Sequence, residues 1–173
     1  INTSLKCRRI RDGDHGLEYV IAWSEETLNG QDIAINHVDI DNLIRAKAAV
    51  YAGFSVLAQS VGIALEETEE VIIGGSFGKY INIEKAIQIG LLPDLPWDRF
   101  HFLGNTSIKG TYLALLDREA HNNIRQIANK MTYIELSADN SFYEAFMSAL
   151  FLPHTDLSRF PNVAEAMAER EKT

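Results

Sequence analysis

A chain of 173 residues, 46% apolar and 23% charged, has the size and composition of one compact globular domain with its own core. Its formal charge of -8 disfavours nucleic acid and anionic membrane surfaces as partners. The single cysteine, Cys7, provides too few ligands for a disulfide, a zinc site or an iron–sulfur cluster, which favours a reducing cytoplasm.

We expect this chain neither to span a membrane nor to be exported. No apolar stretch approaches the roughly 18 residues of a membrane span, and the N-terminus lacks the basic-then-apolar pattern of a signal peptide. The first residue is Ile1 rather than Met, so we expect the sequence to start inside a longer polypeptide or after processing.

The first third of the chain predicts a turn, two strands and a long helix. Residues 12–16 have the composition of a turn, and residues 18–23 and 32–36 are typical of short strands. Asn36 is a favourable N-cap, so a helix is predicted from there to about residue 61.

This helix carries an apolar stripe in which residues recur in steps of three and four. The apolar members are Ile40, Leu43, Val50, Phe54, Leu57 and Val61. Lys47 interrupts the stripe, so it must either extend along the surface with an exposed ammonium or find an anion or ligand. In the second case its ammonium would reach a cleft at the sheet edge and bind a nucleotide oxygen.

Strands alternate with helices in the rest of the sequence. Strands are predicted at 71–73, 100–103 and 132–136, and helices from about 77 to 91, from 106 to 130, from 139 to 151 and from 163 to 172. The alternation predicts a layered α/β domain, and the opening hairpin makes its sheet mixed, with helices on its flanks.

Small residues occur at two strand-to-helix junctions, and the first of them is the candidate ligand site. Gly74-Gly75-Ser76 follows an apolar strand, where backbone N–H groups can cradle an anionic ligand, although an ordinary tight turn also uses two glycines. At the second junction, Gly104, Asn105 and Gly110 fit either close packing or a hinge between subdomains.

Several other kinds of site have no support in the sequence. The segment ending in Gly78-Lys79-Tyr80 is not a Walker A loop, and no dinucleotide fingerprint occurs. No metal-binding spacing of histidines and no G-x-S-x-G elbow is present, so no catalytic or metal-ligating residue is predicted. The run of glutamates at 66–70 is typical of a solvated loop.

The loop from 92 to 97 is a candidate contact surface. Leu92, Leu95 and Trp97 are apolar but lie among Pro93, Asp94 and Pro96, and aromatic anchors in surface loops often mark interfaces. The same side chains could instead fold back onto their own domain.

Four segments together resemble the C-terminal part of the reductive activators of corrinoid proteins, over roughly residues 15–153. They are DIAINHVDIDNLIRAKAAVYAG, VIIGGSFGKYINIEKAIQIGLLPDLP, RFHFLGNTSIKGTYLALL and YIELSADNSFYEAFMSALFLP. The resemblance implies a ribonuclease H-like subdomain of the actin, sugar kinase and heat-shock ATPase superfamily, with a nucleotide-binding subdomain over 1–152 and a tail with a short helix over 153–173.

The family couples ATP hydrolysis to the reduction of inactive Co(II) corrinoid proteins of methyltransferase systems to Co(I). The resemblance therefore implies ATP with magnesium, a corrinoid protein as partner and an electron donor. Because members of the family carry such a domain, the resemblance also implies a [2Fe–2S] cluster in an N-terminal domain. The cluster cysteines and the aspartate-bearing phosphate loops of the family have no counterpart in this chain.

The same resemblance implies roles for individual residues. Gly74-Gly75-Ser76 corresponds to the adenosine motif, Gly104-Asn105 through Gly110 to the second connecting helix, and Lys47 to a helix position that faces the nucleoside. The isolated fragment is expected to be inactive. Two alternatives stay open, a kinase of small metabolites with the same fold and a scaffold that binds proteins without catalysis.

Overall fold

A computed structural model describes residues 7–138 and 140–170, apart from the side chains of Phe77 and Lys79. The chain divides into two compact units, Ile1–Ala46 and Lys47–Thr173, and the boundary falls inside one long helix. None of the helices in the described ranges is both long and apolar enough to cross a membrane.

The first unit contains an antiparallel sheet of three strands. They are β1 (Ile10–Gly13), β2 (Gly16–Ala22) and β3 (Ile33–Asn36), in the order β1-β2-β3. The two predicted strands are confirmed, whereas β1 was not predicted, because its sequence IRDG lacks the apolar alternation of a half-buried strand.

One arginine joins the strands of this sheet. From β1, Arg11 donates to Glu18 on β2 at 2.6 Å and to Asp32, immediately before β3, at 2.5 Å. The Arg11 guanidinium also helps to hold the pKa of the Asp32 carboxyl below its usual value. Side-chain ion pairs thus add to the backbone pairing of β1.

Helix α1 (His37–Ser60) begins where the sequence predicted. The Asn36 side chain accepts a hydrogen bond from the Asp39 N–H at 3.1 Å, and the Asp39 carboxylate accepts one from the Asn36 N–H at 2.9 Å. This reciprocal pair satisfies two N–H groups at the helix start and fixes its first turn.

The second unit combines a parallel strand pair with short helices. Its elements after α1 are β4 (Val71–Gly74), α2 (Ile83–Gln88), β5 (Phe100–Gly104), α3 (Thr106–Leu116), α4 (Arg118–Ala128), α5 (Asn140–Ser148) and α6 (Pro161–Arg170). β4 and β5 are parallel. Antiparallel and parallel strand pairs beside helices confirm the predicted mixed α/β class.

Two predicted helices are interrupted. The stretch after Ser76 is a 3₁₀ turn, Phe77–Tyr80, followed by the separate helix α2, whose N-cap Asn82 accepts from the Lys85 N–H at 3.0 Å. The predicted helix from 106 to 130 breaks at Asp117, whose side chain accepts from the Glu119 N–H and caps α4. In both places a residue with a short polar side chain, Asn82 or Asp117, caps the start of the following helix.

The strand predicted at 132–136 was wrong. This segment has no strand pairing, and it leads into a 3₁₀ turn, Leu136–Ala138. Tyr133 is 81% exposed and donates to Glu135 at 2.5 Å. The β-favouring residues do not form a strand because the structure places no partner strand beside them.

The core of the second unit is built from α1, α2, both strands, the loop before β5 and the segment after α5, whereas α3 and α4 contribute no buried residue. Its buried members are Ala48, Tyr51, Val71, Ala86, Ile87, Leu92, Leu95, Phe100, Ala149, Phe160 and Val163. Phe160 and Val163 come from the segment predicted as a tail, so that segment packs into the core. The predicted domain boundary at residue 152 itself stays a prediction.

Helix α1 buries only part of the predicted stripe, together with a neighbouring face. Lys47, Ala48, Tyr51, Ala52 and Val56 are buried. Val50, Leu57 and Val61 are 44%, 52% and 67% exposed. The small side chains at 48 and 52 let neighbouring elements approach the helix closely, which a pattern of large apolar residues does not reveal.

A backbone contact after α2 depends on glycine. Gly90 has φ of +76°, and a Cβ at this position would lie 2.1 Å from the carbonyl oxygen of Pro153. Both the left-handed conformation and the contact exclude a larger residue. Gly62 has a similar φ of +71°, but a Cβ there would meet no atom within 4 Å.

We therefore predict that Gly90→Ala destabilises the chain by more than about 3 kcal/mol, because backbone must move in addition to the left-handed strain. Gly62→Ala is the matched control and should cost only about 1–2 kcal/mol. Urea unfolding followed by circular dichroism measures both. Equal losses would show that the contact with Pro153 relaxes without cost.

Candidate functional site

The carboxyl ends of β4 and β5 lie side by side. The strands pair in the register Val71↔Phe100 to Gly74↔Gly104, with an irregularity before the last pair. Ligands of α/β proteins collect at this edge of a parallel sheet, because the loops that follow the strands leave backbone groups open there. The two glycine-containing junctions predicted from the sequence are thus neighbours in space.

The two junctions are joined by one backbone hydrogen bond. The Gly75 N–H donates to the Gly104 carbonyl at 2.6 Å. Gly75 and Gly104 have φ of +95° and +67°, and a Cβ on either would meet no atom within 4 Å. A Cβ at Gly74 would instead lie 2.8 Å from the Thr106 hydroxyl oxygen. Glycine is required at 75 and 104 by conformation and at 74 by close approach.

Helix α3 starts at this edge with a side-chain cap. Asn105 accepts a hydrogen bond from the Ile108 N–H at 3.0 Å, and Lys109 donates to the Leu103 carbonyl at 2.7 Å. A Cβ at Gly110 would meet nothing within 4 Å outside the local helix backbone, so close packing does not explain that glycine. The hinge function of Gly104, Asn105 and Gly110 stays a prediction.

The segment after β4 does not begin with the helix that the sequence predicted as an anion-binding N-terminus. Ser76 is exposed and has no side-chain cap hydrogen bond, and the segment that follows it is a four-residue 3₁₀ turn. A turn this short has little macrodipole, so an anion here would depend on local N–H groups and not on a helix N-terminus.

Lys47 does not extend to solvent. Its side chain is 0% exposed, and its ammonium donates to the carbonyl of Pro153 at 2.7 Å and to that of Phe151. The expected exposed ammonium is therefore wrong. These two hydrogen bonds go to the segment after α5, and neither goes to Gly74-Gly75-Ser76.

Burial changes the acidity of this lysine. Removal from water disfavours the charged form and lowers the pKa of the Lys47 ammonium to about 8. At neutral pH the group is still protonated, and the two carbonyl dipoles partly replace its lost hydration.

A polar cluster around His154 was missed by the sequence analysis. The rings of Tyr51 and His154 are 5.3 Å apart, and His154 Nδ1 accepts from the Asp156 N–H at 2.9 Å. Burial lowers the pKa of His154, helped by the nearby Arg159. No sequence spacing signals this cluster, because α1 and the segment after α5 contribute its members.

His154, Asp156 and Arg159 line a cavity of about 750 Å³ together with small residues of α1 and α5. Glu66 of the acidic run lies on its rim and is exposed. In the part of the chain that the structure describes, no group of three or more His, Cys, Asp or Glu side chains is placed to hold a metal ion.

The predicted contact loop is partly buried. Leu92 and Leu95 are each 4% exposed and belong to the core, so they fold back onto their own unit. Trp97 differs from them because it is 60% exposed, at the start of the 3₁₀ turn Trp97–Arg99. Only the tryptophan remains available from the predicted apolar set.

Comparison with known families places the chain clearly. The family model described as the C-terminal domain of RACo, the ASKHA domain, matches residues 1–164. A solved structure titled reductive activator for corrinoid, iron-sulfur protein is similar with a TM-score of 0.86 and 50% identity, over 94% of this chain and 26% of that one.

Two curated relatives have related names. The corrinoid activation enzyme RamQ of Eubacterium limosum is 36% identical over 129 residues, which are 75% of this chain and 22% of that protein. The [Co(II) methylated amine-specific corrinoid protein] reductase of Methanosarcina barkeri is 25% identical over 123 residues, 70% of this chain and 23% of that protein. The chain thus spans about a quarter of the length of the relatives it matches.

The hydrogen bonds of Lys47 predict a stabilising role. Lys47→Met should lower the free energy of unfolding by about 2–4 kcal/mol, because it leaves two carbonyl oxygens without their donor. Lys109→Met removes an exposed lysine that also donates to a carbonyl, and it should cost less than about 1 kcal/mol. Denaturant unfolding measures both, and equal effects would contradict the assigned role.

The lowered pKa predicts a pH dependence with a defined sign. Lys47 titrates at about 8 in the folded chain and at its ordinary 10.5 when unfolded, so between these values the unfolded chain binds more protons. Stability from this group should therefore rise with pH across that window. Between about pH 7.5 and about pH 10, the free energy of unfolding of the wild type should rise relative to that of Lys47→Met, by at most about 1.4 kcal/mol per pH unit. A constant or shrinking difference would refute the burial of this ammonium.

Proposed function

Because the chain belongs to the family of the C-terminal ASKHA domain of RACo, we propose that it is the nucleotide-binding part of an ATP-dependent reductive activator. The complete protein returns Co(II) corrinoid proteins of methyl-transfer systems to Co(I). The chain supplies the adenosine side of the ATP cleft. The observation that carries this proposal is the pair of glycine junctions at the carboxyl edge of β4 and β5.

Gly75 and Gly104 form what we call the glycine edge, and this edge leaves space for a nucleoside. Gly75 and Gly104 have open space where a side chain would stand, so a flat ligand can approach the backbone there. The hydrogen bond between them holds the two turns at a fixed separation before any ligand arrives. A preformed site of this kind loses little conformational entropy on binding.

Three of the four predicted nucleotide-binding residues belong to the proposed site, and Lys47 does not. Gly74, Gly75 and Ser76 form the proposed adenosine site together with Gly104. Lys47 is not included, because its ammonium donates to the carbonyls of Phe151 and Pro153. A folded Lys47→Met variant is accordingly expected to retain its nucleotide affinity.

The cofactors of the proposed reaction extend beyond this chain. ATP with magnesium requires phosphate-binding groups that the sequence does not contain, so those come from the remainder of the activator. A [2Fe–2S] cluster needs several cysteine ligands, and this chain has Cys7 alone. The electrons therefore reach the corrinoid through another domain, and the isolated chain is proposed to bind nucleotide weakly without hydrolysing it.

The energetic logic of the proposed activity rests on coupling. Reduction of a Co(II) corrinoid is uphill for an ordinary biological donor, so it needs an input of free energy. A nucleotide that binds two conformations of the activator with different affinity can shift the equilibrium by that difference. The junctions at Gly75 and Gly104 would transmit the change, because they are where nucleotide meets α3.

We predict that Gly75→Val in the complete activator weakens ATP binding at least about tenfold, because a branched side chain would occupy the space of the nucleoside. Gly62→Val is the matched control, since Gly62 also has a left-handed φ and open surroundings. Calorimetry measures affinity, and visible absorbance of the corrinoid protein measures formation of Co(I).

The proposal fails if the complete wild-type protein neither hydrolyses ATP nor increases Co(I) formation with a reductant present. Equal affinity loss in Gly75→Val and Gly62→Val would instead move the nucleotide site away from the glycine edge. Phosphate release by the isolated 173-residue chain would show that a catalytic group lies within it.

A further inference from the structure

A cleft of about 550 Å³ lies between α2, the loop before β5 and α6. We call it the Trp97 cleft, and its walls include Glu84, Asp94, Leu95, Trp97, Asn162 and Val163. It has an apolar floor and a polar rim. This composition is typical of a recognition site that buries an anchor side chain from a partner.

The loop that presents Trp97 is firmly held. Leu92 and Leu95 are buried in the core, and Asp94 accepts hydrogen bonds from the Asn162 N–H at 2.8 Å and from the Asn162 side-chain amide at 3.0 Å. The backbone on both sides of Asp94 is therefore fixed. A tryptophan on a fixed loop can bind with little ordering cost.

Trp97 itself remains open to solvent. Its side chain is 60% exposed, although it borders a cleft and follows a loop whose leucines are buried. Tryptophan is the side chain most enriched at the energetic centres of interfaces, because its large ring packs well and its N–H can still donate.

The charge of the cleft selects the chemistry of the occupant. Glu84 and Asp94 are carboxylates, and no lysine or arginine is among the residues that line it. Lys85 pairs with Glu84 at 3.1 Å from outside the lining, and Arg99 donates to the carbonyls of Glu66 and Thr68. The lining therefore carries negative charge and no positively charged side chain, which disfavours an anion and favours a cation near the aromatic ring.

Arginine fits this combination better than lysine. A planar guanidinium stacks on an indole ring and donates to a carboxylate through two parallel N–H groups, whereas an ammonium is a strongly hydrated point charge. The volume of the cleft also leaves room for residues that flank the inserted side chain.

We propose that the Trp97 cleft binds an arginine side chain of a protein partner, stacked on Trp97 and paired with Glu84 or Asp94. The inference rests on the proposed function in one respect, since it takes that partner to be the corrinoid protein. The cleft then serves as a docking point separate from the glycine edge.

The main experiment measures binding of the corrinoid protein to the complete activator by calorimetry at low and high salt. Trp97→Ala should weaken binding about tenfold or more. Glu84→Lys should weaken it as strongly and reduce its salt dependence, since a charge pair is lost. Tyr133→Ala is the control, because Tyr133 is another exposed aromatic, at 81%. Wild-type affinity in both Trp97→Ala and Glu84→Lys would overturn the proposal.

A second measurement keeps the test independent of the proposed function. In a Trp23→Phe background the fluorescence of Trp97 is followed while N-acetylarginine amide is added, with N-acetylcitrulline amide as a neutral control of the same shape. Saturable quenching by the arginine compound alone supports the cleft. Equal quenching by both compounds, or none, overturns it.

The two measurements also separate the two hypotheses. If the wild type does not bind or reduce the corrinoid protein, the proposed function fails, and the arginine titration still decides whether the cleft recognises guanidinium. If the wild type binds and reduces it but Trp97→Ala does so equally well, with ATP hydrolysis unchanged, only the docking inference fails.

Discussion

The ammonium of Lys47, bound to the carbonyls of Phe151 and Pro153, is the interaction on which the second unit depends. It joins α1 to the segment after α5, two parts of the chain separated by more than a hundred positions. A buried ammonium tolerates only positions where oxygen atoms replace its water, so it fixes this segment more strictly than apolar packing does. The carbonyl of Pro153 also limits Gly90, which brings the turn after α2 into the same junction.

Around this junction, several separate segments each contribute a few side chains to the core. The ring centroids of Tyr51 in α1 and Phe160 are 5.3 Å apart, and Leu92 and Leu95 come from the loop that follows Gly90. The buried lysine and the glycine contact set where these segments run, so α1 buries the small side chains of Ala48 and Ala52 beside the large ring of Tyr51. Val50 and Leu57 are exposed because the helix buries only one face here.

The glycine edge and the Trp97 cleft share one feature. In each, a hydrogen-bonded backbone leaves a surface accessible for binding. At the edge, Gly75 and Gly104 hold each other through one hydrogen bond and leave space for a nucleoside. At the cleft, Asp94 and Asn162 hold the loop while Trp97 remains exposed. In both places the local backbone is satisfied internally, so binding a ligand or a partner would not require the site to form first.

The sequence by itself determined the class of fold, the start of α1 at Asn36, and the positions of β4 and β5, because capping and short apolar runs act over a few neighbouring residues. It also carried the family, through motifs in the right order. Tertiary structure alone decided that β1 pairs, that residues 132–136 form no strand, and that Lys47 is buried. It also decided that Leu92 and Leu95 are buried while Trp97 is exposed. Each of these outcomes depends on which distant backbone or side chain supplies a partner, and no local pattern of residues encodes that choice.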